Sequence, residues 1–245
     1  MRESEGIIER VWRISATLQR VEVSVEGSFA SIQPGHSILV AEETPGAYLR
    51  EQWIPVASGD GQLIIERPVE RRYSPGQIVN MLGPIGNPLP WSGGGGKRLL
   101  LIAHDTSPAP LLMLAQQAIN QTCEVALVLA GSSTLYPFEG IPPAVEVISI
   151  EREDGWSEHD QVLIWADQIY AVVNDAFWMD YFGGLYHRIG KMKSRVPLNT
   201  IYGVFTLPVI CGTGVCTACM VRCKTTNRLT CTDGPAFDLS EVLLT

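Results

Sequence analysis

The chain has 245 residues, 46% of them hydrophobic and only 18% charged, enough to bury a sizeable core in more than one unit. A formal net charge of -8 argues against a nucleic-acid surface, which needs a clustered basic face. The start, Met1-Arg-Glu-Ser-Glu-Gly6, has no basic segment leading into an apolar one, and no stretch is long and apolar enough for a membrane span. A reducing, cytoplasmic setting with no membrane insertion is the expectation.

Residues 6–81 read as short strands separated by turn residues. The strands are Ile7–Ile14, Val21–Val25, His36–Ala41, Trp53–Ala57, Leu63–Glu66 and Gln77–Met81. Pro34-Gly35, Pro45-Gly46, Gly59-Asp60-Gly61 and Pro75-Gly76 punctuate them. That spacing predicts a β barrel or sandwich. Ser92-Gly93-Gly94-Gly95-Gly96 then reads as a linker.

Beyond it the pattern changes to βαβ. Arg98–Ala103, Glu124–Ala130, Val145–Ile150 and Gln161–Trp165 are expected strands, and Pro108–Asn120 an expected helix. Ser107 suits its N-cap and Pro108 its first position. Asp167 to about Lys193 is expected to be helical, with Gly183-Gly184 as a possible break. Its Trp178, Tyr181, Phe182 and Tyr186 suit core or interface packing better than a cofactor stack. Thr200–Leu207 is the last expected strand. The domain limits are therefore 1–92 for the barrel, 97–195 for the α/β unit and 200–245 for a C-terminal module.

The module carries four of the six cysteines, Cys211, Cys216, Cys219 and Cys231, spaced C-x4-C-x2-C-x11-C. A C-x4-C-x2-C run with a fourth cysteine further on is the plant-type spacing for a [2Fe–2S] cluster. Three sulfurs must converge from one tight loop, and Gly212 and Gly214 allow the backbone to fold there. Zinc also takes four thiolates, although zinc ribbons use two separate short cysteine pairs. Thiols without metal are the remaining alternative. Cys223 falls outside the pattern and reads as a free thiol, and Cys123 as a core residue. His36, His159 and His187 share no ligand spacing, and His104 beside Asp105 suits a surface or cap role.

The stretch Cys211–Val242 resembles the C-terminal module of the electron-transfer subunit of class B dihydroorotate dehydrogenases. The short gap before Cys231 and the following Asp233-Gly234-Pro235-Ala236-Phe237 carry the resemblance. Pro34-Gly35-His36 and Leu82-Gly83-Pro84-Ile85-Gly86-Asn87 are similar to two turns of the family's barrel; by themselves they are ordinary turn chemistry. The resemblance implies a ferredoxin reductase-like fold: an FAD-holding barrel, a nucleotide-binding α/β domain and a [2Fe–2S] module.

The cofactor motifs of that family are degenerate here. Its Arg-Pro-x-Ser does not occur in Arg50–Ser58, and Ile65-Glu66-Arg67-Pro68-Val69-Glu70 stands where it has Gly-x-Gly-Thr. Arg67, Arg71 and Arg72 are the weak candidates left for a flavin diphosphate, so FAD is weakened rather than excluded. The turn Ala103-His104-Asp105-Thr106-Ser107 replaces a glycine-rich phosphate turn and puts a carboxylate where phosphate would sit. No thiol stands at Trp165-Ala166-Asp167, taken as the counterpart of the family's Cys-Gly-Pro. NAD(P) binding is expected to be lost.

The expectation is an electron-transfer subunit, without catalysis of its own, passing single electrons through a [2Fe–2S] cluster inside a hetero-oligomeric redox complex. The alternatives are an FAD-containing NAD(P)H oxidoreductase subunit serving a dihydroorotate dehydrogenase-type partner, and a structural subunit stapled by its metal.

Overall fold

A computed structural model describes residues 1–42, 49–91, 93–151, 156, 159–176, 178–193 and 196–244. The expected turn at Pro45-Gly46 and Ser92 of the linker lie outside the described residues.

Seven strands form the first unit: β1 (Arg2–Arg13), β2 (Leu18–Ser24), β3 (Ser37–Glu42), β4 (Glu51–Trp53), β5 (Pro55–Gly59), β6 (Gln62–Pro68) and β7 (Ile78–Ile85). They pair antiparallel in the order β4-β3-β7-β1-β2-β6-β5. The two edge strands follow each other in sequence across Ile54, so the sheet curls into a nearly closed barrel. What reads in sequence as one strand, Trp53–Ala57, is this corner, with Pro55 opening the new strand. Alternation is clean in β6, where every second side chain is buried. The barrel core contains Ile8, Val21, Val23, Ile38, Trp53, Leu63, Ile65 and Met81.

The second unit contains β8 (Arg98–His104), α1 (Ala109–Asn120), β9 (Glu124–Ala130), β10 (Glu146–Ile150), α2 (Asp160–Trp165), β11 (Gln168–Val173), α3 (Trp178–Met192), β12 (Ile201–Val204) and β15 (Ala236–Asp238). Its sheet order is β10-β9-β8-β11-β12-β15, parallel except for the last strand. Strand order reverses at β8, the switch point of an open α/β sheet. Leu99 and Leu101 face α1, while Leu100 and Ile102 face α3, so the sheet is covered on both sides. Helix α1 starts at Ala109 with Pro108, not Ser107, at its N-cap position, and Ser107 Oγ accepts the Ala109 amide at 3.2 Å from one residue further out.

Two expected elements differ. Gln161–Trp165 lies within a helix, α2, and the strand comes immediately afterwards as Gln168–Val173, all six of its residues buried. A short apolar run does not distinguish strand from helix by periodicity. The turn after the strand is therefore Asn174-Asp175-Ala176, not Trp165-Ala166-Asp167, and it too lacks a thiol. Helix α3 runs unbroken through Gly183-Gly184. Phe182 is in the core, with Trp178, Tyr181 and Tyr186 packed against it. These aromatics are packing residues: Phe182 meets Phe205 edge-on, and Phe205 reaches Phe237.

The cysteine-bearing segment between β12 and β15 holds a small ladder, β13 (Met220–Val221) with β14 (Arg228–Leu229). β12 and β15 belong to the second sheet, so that sheet holds both ends of the segment.

Candidate iron–sulfur site and the cleft above it

Cys211, Cys216 and Cys219 lie on a loop whose backbone is left-handed at Gly212 and Gly214, with φ of 67° and 81°. A Cβ on Gly212 would stand 2.9 Å from Ile85 Cδ1, so glycine also sets how closely the loop approaches the barrel. The fourth cysteine arrives from the other side of the β13–β14 ladder. The Thr230 amide donates to the Cys219 carbonyl at 3.0 Å and fixes the two segments together.

The thiols fall into two pairs. Cys211 lies beside Cys216, accepting its amide and that of Thr213, the latter at 3.5 Å. These donors pull the Cys211 thiol down to about 6. Cys231 lies beside Cys219. Burial and then that neighbouring thiol push Cys231 up to about 12, against the Gly214 amide, which lowers it. Cys216 is exposed, Cys211 half-buried, and Cys219 and Cys231 buried. Among the described residues, no three His, Cys, Asp or Glu side chains converge on a single ion position. Two thiol pairs with amides aimed at sulfur are a donor set that would suit a two-iron cluster. The donor set therefore fits the [2Fe–2S] group. Cys223 packs in the core of the second unit, a different cluster from that of Cys219 and Cys231; burial raises its thiol, and its backbone bridges Val242.

The barrel holds the far side of this site. Gly86 donates its amide to the Cys231 carbonyl at 3.1 Å, and the Asn87 amide to the Gly234 carbonyl at 2.6 Å. Asn87 Nδ2 donates to the Thr232 carbonyl at 2.9 Å. Sequence reasoning treats residues 82–87 as a plain turn; the structure makes them the support of the fourth cysteine. The only sequence signal was the similarity of that segment to the family's barrel.

Between barrel and sheet, next to Thr230, lies a cleft bordered by Ser37, Gln52, Ile54, Pro110, Phe205 and Val209. It encloses about 20 Å³. Clefts that hold drug-sized ligands run to about 300–1,000 Å³. The arginines offer little to a diphosphate. Arg67 is only 7% exposed and pairs with Glu51, bonds Tyr73 and lies over the Trp53 ring. Arg71 is exposed and stands 4.0 Å from Glu51, and Arg72 is exposed. Glu66 is buried and accepts from Arg20 at 2.9 Å and Tyr136 at 2.5 Å. The residues present do not fit a flavin.

A groove of about 780 Å³ opens beside the carboxyl end of β8, between His104, Asp105, Trp156, Tyr181 and the charged face of α3. His104 stacks on Tyr181 and contacts Asp105. Asp105 Oδ1 accepts the Ser132 amide at 2.8 Å, and that bond, with His104 adding to it, holds its carboxyl below the usual range. Asp105 thus caps the turn after β9 rather than α1.

Residues 208–243 match the family profile of the iron–sulfur cluster binding domain of dihydroorotate dehydrogenase B. The chain as a whole is similar to curated electron transfer subunits of that enzyme. The electron transfer subunit of dihydroorotate dehydrogenase B (NAD(+)) from Bacillus caldolyticus is 29% identical over 175 residues, covering 69% of this chain and 67% of the relative. Its Clostridium perfringens counterpart is 22% identical over 215 residues, covering 82% and 78%. Among solved structures, an NADH-dependent reduced ferredoxin-NADP oxidoreductase, studied for flavin-based electron bifurcation, superposes with a TM-score of 0.75 at 18% identity. That match covers 98% of this chain and 90% of the other. A Neisseria gonorrhoeae ferredoxin NADP+ reductase with bound FAD and NADP superposes with a TM-score of 0.58 at 12% identity, covering 83% and 98%. The fold is ferredoxin reductase-like, and the iron–sulfur binding match lies at residues 208–243, near the C-terminus of this chain.

Proposed function

We propose that this chain is the electron-transfer subunit of a larger redox complex, passing single electrons through a [2Fe–2S] cluster held by Cys211, Cys216, Cys219 and Cys231. The observation that carries the proposal is the pairing of four thiols, two and two, inside a segment matching an iron–sulfur binding domain. The cluster, when bound, supplies the one-electron chemistry. The chain supplies its position, the amides of Thr213, Cys216 and Gly214, and the burial on the Cys219–Cys231 side. Cys216 marks the exposed edge where a partner approaches.

A subunit of this kind works on a partner's redox centre rather than on a substrate of its own. The relatives are named as subunits of a dihydroorotate dehydrogenase, which makes a dehydrogenase-type subunit the partner class to test. Among the described residues no helix is long and apolar enough to cross a membrane, and six free cysteines suit a reducing cytoplasm. Cys216→Ala tests the assignment: the variant is expected to fold and lose the reduced-cluster EPR signal. A full [2Fe–2S] signal in that variant would refute the ligand set.

A further inference from the structure

We infer that this chain carries no flavin of its own, so that the centre which splits electron pairs belongs to its partner. This rests on the one-electron relay proposed above. Both ends of one side-chain amide close the cleft. Gln52 Nε2 donates to Ser37 Oγ at 2.9 Å inside the barrel. Gln52 Oε1 accepts the amide of Val209 at 3.3 Å, on the segment leading to the first cysteine. Gln52 lies in the stretch where the resembling family has its flavin-binding arginine motif. Here it ties the barrel to the cluster segment.

The void left over, about 20 Å³, has room for one water and not for a ring system. Thr230, 3% exposed, lines that void, and its hydroxyl has no hydrogen-bond partner among the described residues. One water is what such a hydroxyl requires.

The walls are also fastened. Arg20 and Glu66, both of the barrel, reach across to the Gly140 carbonyl at 2.6 Å and to the Tyr136 hydroxyl. Met113 of α1 sits in the barrel core, and Val56 of β5 sits in the core of the second unit. Admitting a flavin would break the Gln52 bridge, the Arg20–Gly140 and Tyr136–Glu66 bonds and two apolar contacts. It would also bring its diphosphate toward Glu66 while Arg67 stays bound to Glu51.

The consequence concerns the partner. A [2Fe–2S] cluster exchanges one electron, whereas most organic substrates give or take two. Converting one into the other requires a centre that works at both levels, such as a flavin. With the cleft closed, that centre is the partner's. In each passage the partner's centre loses one electron and this chain gains it, with no proton moved and no bond formed. The acceptor then withdraws that electron, and two passages transfer one pair.

The test uses the whole chain purified anaerobically, incubated with excess FAD and passed through a desalting column. Acid-released flavin fluorescence and a reductive titration are then read on the same sample. The expected result is cluster absorption, flavin at background, and uptake of one electron per chain. Near-stoichiometric flavin with uptake of about three electrons, two of them on the flavin, would overturn the inference while leaving the relay intact. Absence of cluster bands would remove the relay, and the inference with it.

Discussion

Gly86, at the end of the barrel, donates its amide to the carbonyl of Cys231, 145 residues further along the chain, at 3.1 Å. The cluster segment is therefore built against the barrel as well as against its own sheet. At Gly86 the backbone is left-handed, φ 84°, and a Cβ would stand 3.0 Å from the Gly234 carbonyl oxygen. Gly86→Ala is expected to cost about 1–3 kcal/mol and to lower iron content together with thermal stability. Asn87→Ala removes one exposed side-chain bond and should cost about 1 kcal/mol or less. Metal analysis and thermal melts of both variants check this ordering.

The Arg20–Glu66–Tyr136 network joins the two units at a buried carboxylate, 4% exposed. Tyr136→Phe leaves that carboxylate short of a donor and should destabilise by about 2 kcal/mol, as for hydrogen bonds to charged groups. Urea unfolding of Tyr136→Phe, Glu66→Gln and the double variant should show strong non-additivity. Additive losses would mean the two side chains act separately.

Much of this architecture was legible in the sequence. Alternating burial in β2 and β6 makes them recognisable as half-buried strands, and the cysteine spacing marks the cluster loop. Gln168–Val173 was harder, because a fully buried strand has no alternation and here adjoins a helix on each side. The contacts that shape the site were illegible for a different reason. Gly86 to Cys231 is a backbone bond, which any residue pair could make, and Gln52 to Val209 spans 157 positions. Glu66 stood out only as a charge where small residues were expected; the sequence does not show that Tyr136 and Arg20 would surround it.

Acid should weaken the barrel through Glu51. Burial alone would raise its pKa, but the Arg67 hydrogen bond and charge overcome that and hold it below its ordinary 4.5. A carboxylate depressed in the folded state contributes stability that is present above its unfolded pKa and lost as pH falls through the folded one. Glu51→Gln should therefore be less stable than the parent at pH 7. The difference should shrink as pH drops below about 4.5, read as the gap between two melting temperatures. A gap unchanged down to pH 3 would assign the effect to packing.

Cys223 separates ligands from bystanders. It packs in a different core cluster from Cys219 and Cys231, so Cys223→Ser should keep the iron content and visible spectrum of the parent, while Cys219→Ser loses both. Loss of iron in Cys223→Ser with the fold intact, judged by circular dichroism, would require a different ligand set.

The central claim is that the chain holds a two-iron cluster and exchanges single electrons with it. The most direct measurement is the EPR spectrum of anaerobically purified protein before and after dithionite, with iron and zinc quantified on the same sample. The account predicts an EPR-silent protein that develops a spin-one-half signal on reduction, with about two irons per chain. A colourless, EPR-silent protein carrying one zinc would contradict it and leave a module stapled by its metal.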